Sequence, residues 1–306
     1  MIFQWYLVFG WMEMTIYFLD RNVVSLVKSV SEFGNCSGLI KKDNKKASKR
    51  NLNMIKKLRR QDKIKNIHTC VLSIVEGELG RPQNDVDMKK VAEKEIQSMG
   101  SFFKKSKTDV GALPFIQCNS GFFPKGLLEE SADCVCSFLE FVSSEIYQPV
   151  SKKKLGDVRD KILIKAFNLN VDLKHPAVLL SIGALYGSKY ASGVIKPSES
   201  NFNKYNAYND IMIPFRISRF LFKDSSKWKF LTMDESLLSY VEKNLVSLNS
   251  ASLFSSGKYV DYRVSENFST FLDIKMFEEK LDEKEYKQIL HILNNPYKHV
   301  GVEKIP

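Results

Sequence analysis

Apolar residues fall into runs whose period switches between two and about 3.6, and those switches mark out the elements. The first nineteen residues, MIFQWYLVFGWMEMTIYFL, are almost wholly apolar. Their end, residues 15–19, is β-branched and aromatic, and Asp20-Arg21-Asn22 stops it before Val23, Val24, Leu26 and Val27 take up a helical spacing. A strand–turn–helix of this kind is the usual opening of an α/β domain. Residues 67–80, IHTCVLSIVEGELG, read as a second strand and then a helix whose start is signalled by Ser73 with Glu76 three residues on, a capping box. Helical spacing follows over 86–103, 127–146 and 155–167, with a Gly, Pro and Asn loop over 111–123. The apolar stretch 175–197 fits a helix or a strand. After a polar loop over 198–209, Asp210 opens a helix carrying Ile211, Phe215, Ile217, Phe220 and Leu221, with Pro214 near its start. WKFLT, residues 228–232, is a short strand, and Met233-Asp234-Glu235 leads into a helix through Leu237, Leu238 and Val241. The tail from residue 267 is mostly helical and amphipathic. The expected fold class is α/β, a single domain over 1–306 with a helical insertion or cap at 81–175.

Charge changes this picture more than composition does. An apolar fraction of 44% over 306 residues is ordinary and supports a packed core, but the net charge of +11 and a pI near 9.2 favour polyanionic partners. Much of the excess lies in residues 41–66, which hold twelve Lys and Arg against Asp43 and Asp62. Leu52, Ile55 and Leu58 keep a rough helical spacing there, so an exposed basic helix is expected. Its Lys56, Lys57, Arg59 and Arg60 are candidates for phosphate contacts, the other reading being a merely solvated charged face. The five cysteines are odd in number and irregular in spacing, and the four histidines are scattered, which disfavours zinc and suits free thiols in a reducing, cytoplasmic setting. The apolar amino terminus has no basic leader and no small-residue cleavage site, contains Glu13, and is followed by Met14 as an alternative start, so stable membrane insertion is not expected.

Four acids share one kind of address. Asp20 follows IYFL, Glu76 follows CVLSIV, Asp210 heads a helix, and Asp234 follows WKFLT. In a parallel α/β sheet the ligand site lies beyond the carboxyl ends of the strands, where loops enter helices, so these carboxylates can converge on one edge. Converged carboxylates repel one another unless cations neutralise them, which suits Mg²⁺ or Mn²⁺. Singly, each acid is also what a helix start selects for its capping and dipole interactions.

In order, IYFLD, VLSIVEGELG, AYNDIMIPF and KFLTMDESL resemble the PIN-like nuclease family. The resemblance covers about the first 80 residues and 198–246, split by the expected insertion. It implies a three-layer α/β/α fold with a central, mostly parallel sheet, and metal-dependent endonuclease activity on phosphodiesters, RNA ahead of DNA. It implies that Asp20, Glu76, Asp210 and Asp234 are both the catalytic and the metal-holding residues, with Asn22 and Thr232 in support. Glu78, Asn209 and Glu235 are second-choice ligands because helix register is uncertain by a residue or two, and Tyr205 and Tyr208 are candidates for base stacking. A toxin or defence effector, with an inhibitor or other partner protein, is the physiological setting this suggests. Two other readings stay open: a noncatalytic PIN-like nucleic-acid-binding module, and a basic peripheral membrane protein. No phosphate-loop motif and no Ser or Cys hydrolase arrangement occurs.

Overall fold

The computed structural model describes residues 14–34, 45–77, 85–113, 132–173, 175–220, 227–250 and 283–301. The expectations for residues 1–13, for Glu78 and for most of the 111–123 loop lie outside these residues. The chain divides into two compact units, residues 1–124 with 215–238, and residues 125–214 with 239–306.

The first unit is built on a four-stranded sheet. Strand β1 is Thr15–Leu19, β2 is Asn66–Thr69, β3 is Lys107–Thr108 and β4 is Lys227–Leu231. All neighbours run parallel, in the order β3-β2-β1-β4. The chain therefore builds outward from β1 in one direction and then returns to β1's other side. Thr15 opposes Asn66 on one flank and Lys227 on the other, so the three longer strands begin level with one another. Tyr17 and Leu19 point to one face and Ile16 and Phe18 to the other, and all four are buried. A parallel sheet covered on both faces needs such a continuous apolar run rather than strict alternation.

Helices α1 (Arg21–Phe33), α2 (Lys45–Gln61), α3 (Val71–Glu76) and α4 (Asp85–Phe102) accompany this sheet. Val23, Val24, Val27 and Val30 of α1 join Ile55 and Leu58 of α2 and Ala92, Ile96 and Met99 of α4 in one core with Tyr17 and Leu19. Helix α1 stops at Gly34, whose φ of 67° is the left-handed conformation that closes a helix at little cost only in glycine. The helix expected around residues 86–103 is α4, and it belongs to this unit rather than to a separate cap.

The second unit is helical in its described residues: α5 (Ala132–Ile146), α6 (Leu155–Asn168), α7 (Pro176–Leu185), α8 (Lys189–Ile195), the first part of α9 (Lys204–Phe220), most of α10 (Glu235–Ser250), α11 (Glu283–Asn294) and α12 (Pro296–His299). The ambiguous stretch 175–197 resolves into α7 and α8. His175 Nδ1 accepts from the Ala177 amide at 3.1 Å and Pro176 takes the first helical position, while Ser188 caps α8 through Ala191. All ten residues of α7 are buried, which erased the periodicity a half-exposed helix would have shown.

Candidate active site at the carboxyl edge of the sheet

The reversal in strand order falls between β1 and β4, where a doubly wound sheet opens a crevice beyond its carboxyl ends. The two chain segments leaving these strands carry a connected group of polar side chains. Asp20 follows β1, is 4% exposed and caps α1, its Oδ1 accepting from the Arg21 amide at 2.8 Å. Thr232 follows β4, is buried, and donates its hydroxyl to Asp20 Oδ2 at 2.6 Å. The same hydroxyl oxygen accepts from Asn22 Nδ2 at 3.2 Å and from the Asp234 amide at 3.0 Å. Asn22 completes the ring, its Nδ2 also donating to Asp20 Oδ2 and its Oδ1 accepting from the Met233 amide at 3.2 Å.

Each bond has a local cause. The backbone N–H of Asp20 donates to Leu231 at 2.9 Å, extending the β1–β4 ladder by one rung and bringing both strand ends to the same level. A carboxylate is then in reach of a threonine hydroxyl from the neighbouring strand. Asp234 caps α10, its Oδ1 accepting from the Leu237 amide at 3.0 Å, as the first turn of any helix invites. Glu235, the next residue, is exposed in that first turn.

The next strand along the edge places a second polar group. Thr69 ends β2 and Cys70 follows it, and Asp109 follows β3. Asp109 Oδ2 accepts from the Cys70 amide at 2.8 Å and faces its thiol at 3.4 Å. Burial pushes the Asp109 carboxyl above its ordinary range despite these bonds, and pushes the Cys70 thiol well above its own, aided by the negative charges of Asp109 and Glu95. Such a thiol stays protonated and is no nucleophile. Glu95 of α4 is 2% exposed and accepts from Ser73 Oγ at 2.9 Å.

No protein-family model matches the chain, and neither does any curated protein or solved structure.

The expected site residues therefore stand on their own geometry. Asp20, Asn22, Thr232 and Asp234 are brought together. Glu76 is half-buried at the last position of α3, on the edge following β2. The helix begins earlier than the capping box suggested: Cys70 is its N-cap and Ser73 lies inside it, with its hydroxyl turned to Glu95. Asp210 lies in the second unit, in the interior of α9 rather than at its head, since that helix begins at Lys204. Its carboxylate is 5% exposed and accepts from Lys196 Nζ at 2.9 Å. Pro214 consequently sits inside the helix, where it removes the intrahelical donor for the Asp210 carbonyl. Asn209 is in the same helix, as are Tyr205 and Tyr208, and Tyr208 is buried.

Lys56, Lys57, Arg59 and Arg60 are exposed on α2, whose Ile55 and Leu58 face the core. Helix α2 ends at Gln61 and β2 begins at Asn66, level with Thr15, so Arg59 and Arg60 lie toward the amino-terminal end of the strands, opposite the end that carries Asp20.

Two buried acids escaped the sequence reading. Asp109 follows a strand of only two residues, too short to show a period. Glu95 had a readable signal, since it interrupts the apolar stripe Met88, Val91, Ala92, Ile96 and Met99. An acid on the buried stripe of a helix needs a partner, and here Ser73 supplies a hydrogen bond.

Among the described residues, no three His, Cys, Asp or Glu gather so that they could hold a metal ion, and no helix is long and apolar enough to cross a membrane. The groups that meet beyond β1 and β4 are the Asp20 carboxylate, the Thr232 hydroxyl, the Asn22 side-chain amide and the backbone N–H of Asp234. Of these, the Asp20 carboxylate is the hard-oxygen group of the type Mg²⁺ or Mn²⁺ accepts.

Proposed function

We propose that the protein is a divalent-metal-dependent endonuclease of PIN-like kind, cleaving phosphodiester bonds of nucleic acid, with RNA favoured over DNA. The observation that carries this reading is the buried Asp20 carboxylate at the strand-order reversal, bonded to the Thr232 hydroxyl, which also accepts from the backbone N–H of Asp234. The net charge of +11 supports a polyanionic substrate.

Asp20 and Asp234 would hold the ion, with Glu76 the nearest further acid in chain order on the same edge. When bound, Mg²⁺ or Mn²⁺ supplies charge neutralisation at a phosphoryl oxygen and lowers the pKa of a water nucleophile. Thr232 and Asn22 act on Asp20: their two donors on Oδ2 fix the carboxylate's orientation. The Asp234 amide bond to Thr232 sets the neighbouring corner at the same time. Asp210, paired with Lys196 in the second unit, is not needed to complete this arrangement. A toxin or defence effector held by a protein inhibitor is the setting this reading suggests.

The test is cleavage of labelled single-stranded RNA and DNA with Mn²⁺, Mg²⁺ or chelator, comparing wild type with Asp20→Asn and Asp234→Asn. Metal-dependent cleavage lost in both variants, with unchanged circular dichroism, is the expected result. Salt-sensitive binding without cleavage by the wild type would replace this reading with a noncatalytic nucleic-acid-binding module.

A further inference from the structure

The end of the sheet opposite Asp20 is made of two short loops that one carboxylate joins. Asp62, after α2, accepts from three successive amides ahead of β3: Lys104 at 2.9 Å, Lys105 at 2.9 Å and Ser106 at 2.7 Å. Ser106 Oγ returns a bond by accepting from the Lys63 amide at 3.0 Å. Burial works against the Asp62 charge, yet the Ser106, Lys104 and Lys105 amides outweigh it and hold the carboxyl below its ordinary range.

This latch has an electrostatic consequence. Asp62 is the only acidic residue in the segments 59–66 and 103–107 that form this edge, and its oxygens are directed at backbone N–H groups rather than at side-chain cations. Arg59, Arg60, Lys63, Lys65, Lys104 and Lys105 are all exposed around it and make no ion pair among the described residues. Ile64, at 75% exposed, stands between two of these lysines. Six cations, two in the last turn of α2 and four in the braced loops, form a positive surface.

We infer that this amino-terminal edge of the sheet is a binding surface for the sugar–phosphate backbone of single-stranded nucleic acid, distinct from the acid corner beyond β1 and β4. Taking nucleic acid as the partner rests on the function proposed above; the surface itself rests on the Asp62 latch. The strands separate the two sites by roughly 17 Å, the length of five extended residues. That corresponds to about five stacked nucleotides at ~3.4 Å each, so only longer strands can touch both.

The experiment measures binding by anisotropy in Asp20→Asn protein with chelator, so that no cleavage is required. A variant with Lys63, Lys65, Lys104 and Lys105 changed to Gln is compared with one in which the exposed Lys153, Lys154, Lys284 and Lys298 are changed to Gln, an equal loss of charge. The first is expected to bind long single-stranded RNA about tenfold or more weakly, with its salt slope reduced by up to about 3, while the second stays near the parent. Placed in the active parent, the Lys63, Lys65, Lys104 and Lys105 changes are expected to leave cleavage of RNA shorter than about five nucleotides unaffected. Equal weakening by both variants would reduce the effect to net charge and overturn the proposal. So would loss of binding to phosphatidylserine vesicles with RNA binding intact, which would make the edge a membrane surface. Lack of cleavage by the wild type alone would count against the nuclease, not against this surface.

Discussion

Thr232 shows how one side chain can join two strand ends. Its hydroxyl donates to Asp20 and accepts from Asn22 and the Asp234 amide, so removing it leaves a buried carboxylate short of a donor and an amide short of an acceptor. Thr232→Val keeps the shape and is expected to cost about 1–3 kcal/mol in urea unfolding, whereas Thr232→Ser recovers most of it. An unchanged midpoint for the valine variant would mean that the ring of bonds adds nothing to stability. His68 is the other informative residue. It is fully buried, stacked between Tyr17 and Phe103 at 4.8 and 4.0 Å, and neither ring nitrogen has a hydrogen-bond partner. Burial depresses its pKa to about 4, with the charge of Asp62 working weakly the other way. Between that value and the ordinary 6.5 the unfolded chain binds the extra proton, so stability is full above pH 6.5 and declines as pH falls toward 4, by up to ~3 kcal/mol. His68→Phe is expected to flatten that part of the stability–pH curve, as urea titrations at stepped pH would show. His175, buried and also depressed to about 4 by its burial, leaves a slope of the same sign in the second unit.

At the scale of elements, α3 depends on how it ends. Gly77 has φ 72° and ψ 174°, a conformation nearly confined to glycine, and its amide closes the helix on the Ser73 carbonyl at 2.9 Å. Gly77→Ala is expected to destabilise the first unit by about 1–3 kcal/mol and to disturb Glu76 beside it. Thermal unfolding unaltered by this change would show that the turn relaxes without strain. Helix α2 illustrates the opposite balance. Its charge count predicted a solvated helix, and its stability in the fold comes from the buried Ile55 and Leu58. Leu58→Ala is expected to cost about 2–5 kcal/mol, while Lys57→Ala on the exposed face stays within about 0.5 kcal/mol. Equal costs would mean that the helix is not anchored through its apolar stripe.

At the scale of the whole molecule, the division into two units decides which acids can be discussed together. Asp20, Glu76, Thr232 and Asp234 belong to the unit built on the parallel sheet, and Asp210 to the helical one. There Lys196, in the left-handed conformation at φ 55°, carries the ammonium that meets Asp210. A non-glycine residue held in this conformation costs of order 1 kcal/mol, and the pairing helps to retain it. Asp210→Asn and Lys196→Gln are expected each to lower stability by about 1 kcal/mol and to do so non-additively in a double-mutant cycle. Strict additivity would show that the contact contributes nothing.

Much of the first unit was legible along the chain. Asp20-Arg21-Asn22 after an apolar strand, the valines of α1, the KFLT strand and Asp234 at a helix start all follow from local chemistry: side chains that cap helices, β-branched runs that pair, and apolar residues at helical spacing. Those signals act over a few residues and survive in any context. What the sequence did not determine was everything set by neighbours distant in the chain. The parallel order β3-β2-β1-β4 joins residues more than two hundred positions apart, and it alone brings Thr232 to Asp20. A two-residue strand ahead of Asp109 has no period to read, and complete burial of α7 removes the alternation that separates helix from strand. The start of α9 at Lys204 overrode the expectation that Pro214 marks a first turn, because tertiary burial outweighs the single hydrogen bond a proline removes. Local propensity thus determined which elements exist, and long-range pairing and burial decided which polar groups meet.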